Sequence, residues 1–571
     1  MKEPRLGVFI CHCGGNISDV VDVEKVRQAV EGDPGVKVAQ THMFTCSEAA
    51  QQEMIRLIQE HDLNGLVIAS CSPRLHQETF RQMARRAGLN PYRYVQVNIR
   101  EQCSWAHPHH PEEATRKAVA LIKGGIARAL RARSLEPIVI KTRPEAVVIG
   151  AGIAGLEAAL GLSRMGIKVH LVEKEDRPGG LLRDRGPIFP TDQKGRDLVE
   201  HLWKEIRRNV NIRTYFGSHL CGKEGVVGDF RLKICRDGEE KEIRAGAIVV
   251  ATGARPHTPQ PGEWGYGSEG VCTLYEFLLH LAEHPEEKPL SYRGRRVRRL
   301  VYIYCVGSRE PAGEKARTYC SRYCCTAALY TACLVHSRWP EVTQVHLYRD
   351  IRSYGKYEKY YRRALGYGSV FMRYSPQSPP EIHPGGRLRV RVKDLLTAKE
   401  EVELEADLVC LVTGLEPVHS PELLEHLKLP VGKEGFFQEV HPKLRPVETM
   451  ADGVFICGCA QGPRTAEESA TSGLAAAAKV GALLLAGEVK REPLVAEVIE
   501  ERCDGCGECL AACPYGALEL SGDRVRVRES LCKGEGACVP VCPQQALQVR
   551  GYEHETVKAL IQSLAEGWAD A

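Results

Sequence analysis

The 571-residue chain lacks a strong charge of either sign, a long apolar run and a leader-like start. Its 77 basic and 73 acidic side chains leave a net charge of +4, which offers no footprint for nucleic acid. The basic run at residues 295–299 (RRVRR) leads into an apolar strand and reads as a solvated strand entry. The longest apolar run, about residues 475–486, is broken by Lys479 and is too short to span a bilayer. Membrane insertion is therefore not expected. The opening MKEPRLGVFICHCGG has no apolar h-region followed by a cleavage site, so a cytoplasmic location is expected. Cysteine is what the chain has in excess, at 23 residues. In a cytosolic protein, clustered cysteines read as metal-binding or redox-active and not as a disulfide framework. The length suggests about four domains.

Residues 1–143 read as a small α/β domain. LGVFIC (6–11) and GLVIAS (65–70) are short apolar runs of buried-strand type. Helical patterns cover residues 23–30, 47–61, 78–87 and 112–132, and such alternation argues for a parallel sheet. Cys11, Cys13, Cys46, Cys71 and Cys103 fall at strand ends or in the following loops. Sites collect at that edge of open α/β sheets, so the five could ligate a cluster; their spacings match no ligand motif, and the reading preferred is buried thiols that pack like small hydrophobes. His107, His109 and His110 lie in a proline-held loop with no motif to complete a metal set.

A dinucleotide-binding opening follows residues 143–144. AVVI (146–149) is a strand, Gly150, Gly152 and Gly155 form G-x-G-x-x-G, and a helix covers 156–165. The next strand (169–172) ends at Glu173, 23 residues past Gly150. The glycines suit a tight turn, a close approach by pyrophosphate and close helix–strand packing, with the acid on the ribose hydroxyls. The phosphates would rest on the helix N-terminus. Gly179 and Gly180 in RPGGL, Gly253 in IVVATG, the related LVCLVTG (408–414), and Gly458 in DGVFICG resemble the recurring segments of two-dinucleotide flavoproteins. Their order resembles a thioredoxin-reductase-like layout, which implies FAD.

A second glycine triplet is missing. Strand 300–304 (LVYIY) is followed by Cys305-Val-Gly-Ser-Arg, and a loop with Cys320, Cys324 and Cys325 leads into a helix. A nicotinamide dinucleotide is not expected there. Three readings of the four thiols stand open: an irregular [4Fe–4S] site, a Cys320–Cys324 dithiol working against the flavin, and buried inert thiols. The adjacent pair 324–325 is awkward as a disulfide, since neighbouring Cα atoms lie about 3.8 Å apart.

Cys503, Cys506, Cys509 and Cys513 are spaced C-x2-C-x2-C-x3-C-P, the bacterial ferredoxin pattern for cubane clusters. The fourth cysteine of such a run ligates the other cluster of a pair. A second run follows with Cys532, Cys538 and Cys542, but Glu535 holds its second ligand position. A carboxylate is a harder ligand than a thiolate and should bind iron less firmly. Two or three [4Fe–4S] clusters are expected in all, one atypical because of Glu535. Residues 553–568 read as an amphipathic helix.

On VFICHCGGNI, ASCSPRLH, NIREQCSW, the dinucleotide turn, CVGSR…YCSRYCC, DIRSYGK, GCAQGP and the ferredoxin motif, the chain resembles the HdrA-type component of heterodisulfide reductases, an iron–sulfur flavoprotein family, nearly end to end. The resemblance implies FAD and an irregular cluster on Cys305, Cys320, Cys324 and Cys325. It implies B-like and C-like heterodisulfide reductase subunits and an electron-input subunit as partners. It also implies a dimer of a larger complex and a flavin able to split an electron pair. Three departures stand out. No cysteines in residues 183–192 support the ferredoxin domain that longer members insert there. Tyr330 stands where members commonly have a lysine near the flavin, which counts against bifurcation. Glu535 replaces a ligand.

The expected fold class is α/β: an N-terminal α/β domain, a thioredoxin-reductase-like two-dinucleotide flavoprotein domain and a C-terminal ferredoxin-like α+β domain. The expected boundaries are 1–143, a first FAD part at 144–257, an NAD-like domain at 258–404, a second FAD part at 405–488, a ferredoxin-like domain at 489–551 and a helix at 552–571. A stand-alone flavin disulfide reductase using Cys320 and Cys324 is the competing function. A scaffold with relic cofactor sites is a third.

Overall fold

The computed structural model describes residues 3–313, 316–385, 387–397, 400–418 and 420–569. It divides into two compact units, residues 1–139 with 490–571, and residues 140–489. The first and last segments of the chain thus form one unit, where the sequence suggests an N-terminal domain, a ferredoxin-like domain and a tail.

In the first unit, four parallel strands stand in the order Val36–His42, Leu6–Cys11, Gly65–Ser70, Tyr94–Asn98. The two central strands are buried along their whole length. Successive side chains alternate faces, so Val8 and Ile10 join one core and Phe9 the other. Covering both faces makes such strands read as continuous apolar runs. The two edge strands, VKVAQTH and YVQVN, carry more polar residues and give no strand signal in the sequence. Helix Val23–Val30 begins where its sequence pattern does. Helix Pro73–Arg86 starts five residues earlier than its apolar pattern, because Ser72 caps it and Pro73 takes the first helical position.

The ferredoxin-like segment has two antiparallel pairs, Ala496–Val498 with Leu547–Val549 and Leu518–Ser521 with Arg524–Val527. Helix His554–Ala569 then packs on helix Pro111–Arg131. The small residues of the latter permit this: a Cβ added to Gly124 would lie 2.9 Å from a Leu560 methyl.

The second unit holds two similar layered assemblies. The first has five parallel strands, ordered Val454–Ile456, Ala247–Val250, Glu145–Ile149, Lys168–Val172, Ile212–Tyr215, with a three-stranded antiparallel sheet over residues 219–245. The second orders Val271–Thr273, Leu408–Thr413, Arg299–Val306, Thr343–Tyr348 and Val370–Arg373, with its own three-stranded sheet over 381–406. Strand Leu408–Thr413 pairs with Arg299–Val306 and so belongs to the second assembly. The expected boundary at 404/405 therefore falls too early, and the chain returns to the first sheet only after residue 413. Strands Ala254–Pro256 and Leu415–Pro417 pair where the chain leaves and returns. The small-residue helix Ala466–Leu485 lies against helix Ile153–Arg164 at backbone distance, since a Cβ on Gly473 would meet the Ala154 carbonyl oxygen at 2.2 Å.

One disulfide joins Cys221 to Cys235. Cys221 is the extra residue of a bulge between Leu220 and Gly222, which turns it toward the neighbouring strand. Nothing in the cysteine spacing announces this pair.

Candidate functional site

The first assembly builds a cleft of about 530 Å³ at the end of strand Glu145–Ile149. Gly150 turns the chain with φ +106°, and a Cβ there would lie 2.4 Å from the Ala251 carbonyl oxygen. Gly152 is the N-cap of helix Ile153–Arg164 and has nothing within 4 Å of its Cβ position. The free N–H groups of that helix start are an anion site. Gly155 is packed behind: a Cβ there would sit 1.8 Å from the Gly150 oxygen. Glu173 accepts from the Ala151 N–H at 2.6 Å and the Glu175 N–H at 3.0 Å. Each oxygen keeps further acceptor capacity, and Glu173 lines the cleft. The Gly179 N–H donates to the Ala151 oxygen at 2.8 Å, tying the second glycine pair to the first turn.

Of the eight residues expected at the cofactor, Gly150, Gly152, Glu173, Gly179, Gly180 and Gly253 line this cleft. Gly155 and Gly458 do not. A Cβ on Gly458 would meet the Ala154 methyl at 2.7 Å, so it serves the packing behind the cleft. Thr252 also lines it, with a buried Oγ1 that makes no hydrogen bond among the described residues. An open glycine edge, a helix N-terminus and an unsatisfied hydroxyl fit a bound dinucleotide.

The second assembly repeats the strand and helix but fills the turn differently. Cys305, next to last in its strand, has φ +62°, a left-handed conformation unusual for a residue with a Cβ. Cys324 and Cys325 form the first turn of helix Cys324–Arg338. The Arg322 N–H donates to Cys320 Sγ at 3.4 Å, and Arg309 Nη1 donates to Cys305 Sγ at 3.9 Å. Cys305, Cys320, Cys324 and Cys325 lie close enough to feel one another's charge. Burial pushes the Cys305 thiol up to about 11. Within the vicinal pair, a hydrogen bond from Cys324 pulls Cys325 below the ordinary thiol range and pushes Cys324 up. The free N–H groups of this helix start offer an anion site beside the thiols, as those of the first assembly do beside the glycines.

In the ferredoxin-like segment six of the seven cysteines converge on one small core, with Cys506 exposed at its edge. Burial, then the charges of Cys542, Cys506 and Cys503, raise Cys509, and burial, then the charges of Cys532, Cys513 and Cys509, raise Cys538. The ferredoxin spacing expects 503, 506, 509 and 542 on one cluster and 532, 538 and 513 on the other. Backbone N–H groups aim at the sulfurs in matching pairs. Ala517 donates to Cys513 at 3.4 Å and Ala546 to Cys542 at 3.3 Å. Val525 donates to Cys503 at 3.5 Å and Ala496 to Cys532 at 3.3 Å. Such donors suit anionic clusters held by thiolates. Glu535 is exposed and accepts a hydrogen bond from the Tyr515 hydroxyl, which raises the tyrosine.

No group of three or more His, Cys, Asp or Glu among the described residues closes on a single ion.

The N-terminal thiols separate into four and one. Cys46 and Cys71 both feel Cys11, Cys13 and Arg100, and Arg100 Nη1 donates to Cys13 Sγ at 3.5 Å. Cys103 is buried apart from them, near Lys117, and pushed up to about 12. Cys11, Cys13, Cys46 and Cys71 thus gather near Arg100, a grouping that sequence spacing does not reveal. The available signal is topological, since parallel strands end at one edge. His109 and His110 are exposed, and His107 Nε2 lies 3.0 Å from Lys117 Nζ.

Comparison with known proteins agrees with this geometry. Residues 144–298 match the pyridine nucleotide-disulphide oxidoreductase family, and residues 502–546 match the 4Fe-4S dicluster domain. The second HdrA-type iron-sulfur component of the CoB--CoM heterodisulfide reductase of Methanopyrus kandleri is 36% identical over 604 aligned residues, covering 91% of this chain and 92% of that protein. The chain belongs to the HdrA family of heterodisulfide reductases. Another member, the HdrA-type component of the H(2):CoB-CoM heterodisulfide,ferredoxin reductase of Methanothermobacter marburgensis, is 32% identical over 92% of both chains. Among solved structures, thioredoxin reductase of Lactococcus lactis aligns with 60% of this chain and 99% of its own, at 20% identity and a TM-score of 0.42.

Membership of this family makes the chain an electron-transfer flavoprotein of an oxidoreductase, with FAD and [4Fe–4S] clusters. No helix among the described residues is long and apolar enough to cross a membrane.

Proposed function

We propose that the chain is the flavin-bearing hub of a cytoplasmic multi-subunit oxidoreductase, with B-like, C-like and electron-input subunits as partners. When bound, FAD supplies two-electron chemistry and the clusters supply one-electron relays, while the protein positions and tunes them. The glycine cleft, with Glu173 at its ribose end, would hold FAD. Cys305, Cys320, Cys324 and Cys325 would hold the irregular cluster. Cys503, Cys506, Cys509 and Cys542 would hold one ferredoxin-type cluster, and Cys532, Cys538 and Cys513 the other, with only three thiolates. The observation that carries this reading is the replacement of the second phosphate cradle by four thiols in a fold that otherwise repeats the first. That replacement favours an exit for electrons through sulfur over an entry from a nicotinamide.

The test is anaerobic purification with flavin and iron analysis, followed by addition of NAD(P)H. The expected result is bound FAD, several irons per flavin and no bleaching of the flavin by NAD(P)H. Bleaching that a disulfide reverses would instead establish a disulfide reductase using Cys320 and Cys324. A preparation with neither flavin nor iron would favour a scaffold.

A further inference from the structure

Next to the glycine cleft lies a smaller, mostly apolar cavity of about 150 Å³. The two share Ile153, Leu181, Leu182, Cys459 and Ser469 in their walls, so they are neighbours. With FAD in the glycine cleft, Glu173 would hold its adenosine ribose and the start of helix Ile153–Arg164 its phosphates. Leu181 and Leu182 lead from there to the apolar cavity, which would receive the flat flavin ring.

That cavity has an unusual wall. Tyr330 stands on helix Cys324–Arg338 and is neutral, its hydroxyl donating to Asp192 Oδ1 at 2.6 Å. Arg464 donates to Gln461 Oε1 at 3.3 Å. Arg185 is different. Its guanidinium stacks on the Tyr275 ring, 4.1 Å from the centroid, and its buried Nη1 makes no hydrogen bond among the described residues. Burial pulls its pKa down, and among the described residues Tyr275 and Tyr323 offset this, with no carboxylate beside them. Tyr275 itself lines the glycine cleft. A buried cation with no acid partner is costly unless something anionic completes it.

We propose that Arg185 faces the flavin ring and raises its reduction potential, supplying from the loop after Gly180 the cation that helix Cys324–Arg338 does not present. A flavin ring that takes up two electrons and one proton carries one net negative charge, and a guanidinium beside it favours that state. This rests on the assignment of FAD to the glycine cleft.

The experiment measures the two-electron midpoint potential of the bound flavin by dithionite titration with reference dyes, anaerobically and at fixed pH. Arg185→Gln is expected to favour the oxidised flavin by about tenfold or more, which for two electrons is a fall of about 30 mV. Arg185→Lys keeps the charge and is expected to shift it less. An unchanged potential in a flavin-replete Arg185→Gln protein overturns the proposal and leaves the cleft assignment standing. If Arg185→Gln cannot retain flavin, Arg185→Lys decides. Retention there supports a role for the charge, and loss there as well assigns Arg185 to the fold and overturns the proposal. A wild-type chain that binds no FAD would instead defeat the cleft assignment.

Discussion

The two layered assemblies of the second unit differ most where their topology is most alike. Each places a helix start after a parallel strand, and each helix start favours a negative group. In the first, glycines clear space for phosphates; in the second, Cys305, Cys320, Cys324 and Cys325 fill that space with thiols. The lesson is that the fold supplies an anion site and the turn residues choose the anion.

The comparison can be broken most forcefully at Gly155. Gly155→Val drives side-chain atoms into the Gly150 oxygen. It should abolish flavin binding and destabilise the second unit by about 3 kcal/mol or more, as read by flavin content and a thermal melt. Retained flavin in a stable variant would contradict the assigned packing role. Cys324→Ser tests the other assembly. Iron should drop by about four per chain, the content of one cubane, while flavin stays, because Cys324 lines neither cavity.

A smaller effect is expected from the same kind of contrast inside the ferredoxin-like segment. Glu535→Cys completes the second motif and should add about one iron per chain, with a changed EPR spectrum. Two all-cysteine [4Fe–4S] spectra already present in the wild type would sink the three-thiolate reading. The smallest effect is at the join between the two assemblies. There Glu416 is held down to about 2, first by its hydrogen bond with His257 at 2.7 Å and then by Arg255. A carboxylate depressed on folding contributes stability above its unfolded pKa and loses it as pH falls toward the folded one. Glu416→Gln should cost about 1–2 kcal/mol at pH 7 after solvent screening. The gap to wild type should stay constant down to about pH 5 and close between there and about pH 2. Urea unfolding at each pH measures it.

Much of this was legible in the chain. The strands Leu6–Cys11 and Gly65–Ser70 showed themselves because both faces are buried. The turn Gly150–Gly155 and the run Cys503–Cys513 showed themselves because their chemistry is local, with ligands and backbone only a few residues apart. Glu535 stood out as a break in such a local pattern. The edge strand Val36–His42 was hidden by its polar side chains. Strand Leu408–Thr413 carried the right motif, but its sheet depended on pairing with Arg299–Val306, more than a hundred residues away.

By itself the sequence determined the two dinucleotide-type turns, the loss of glycines in the second, and the cluster ligands spaced along single loops. Tertiary structure alone decided three things. It collected Cys11, Cys13, Cys46 and Cys71 around Arg100, because parallel strands bring distant loops to one edge. It joined Cys221 to Cys235, because a bulge in one strand is a matter of register with its neighbour. It placed Arg185 in an apolar wall without an acid, because burial and the company a charge keeps are properties of packing and not of local sequence.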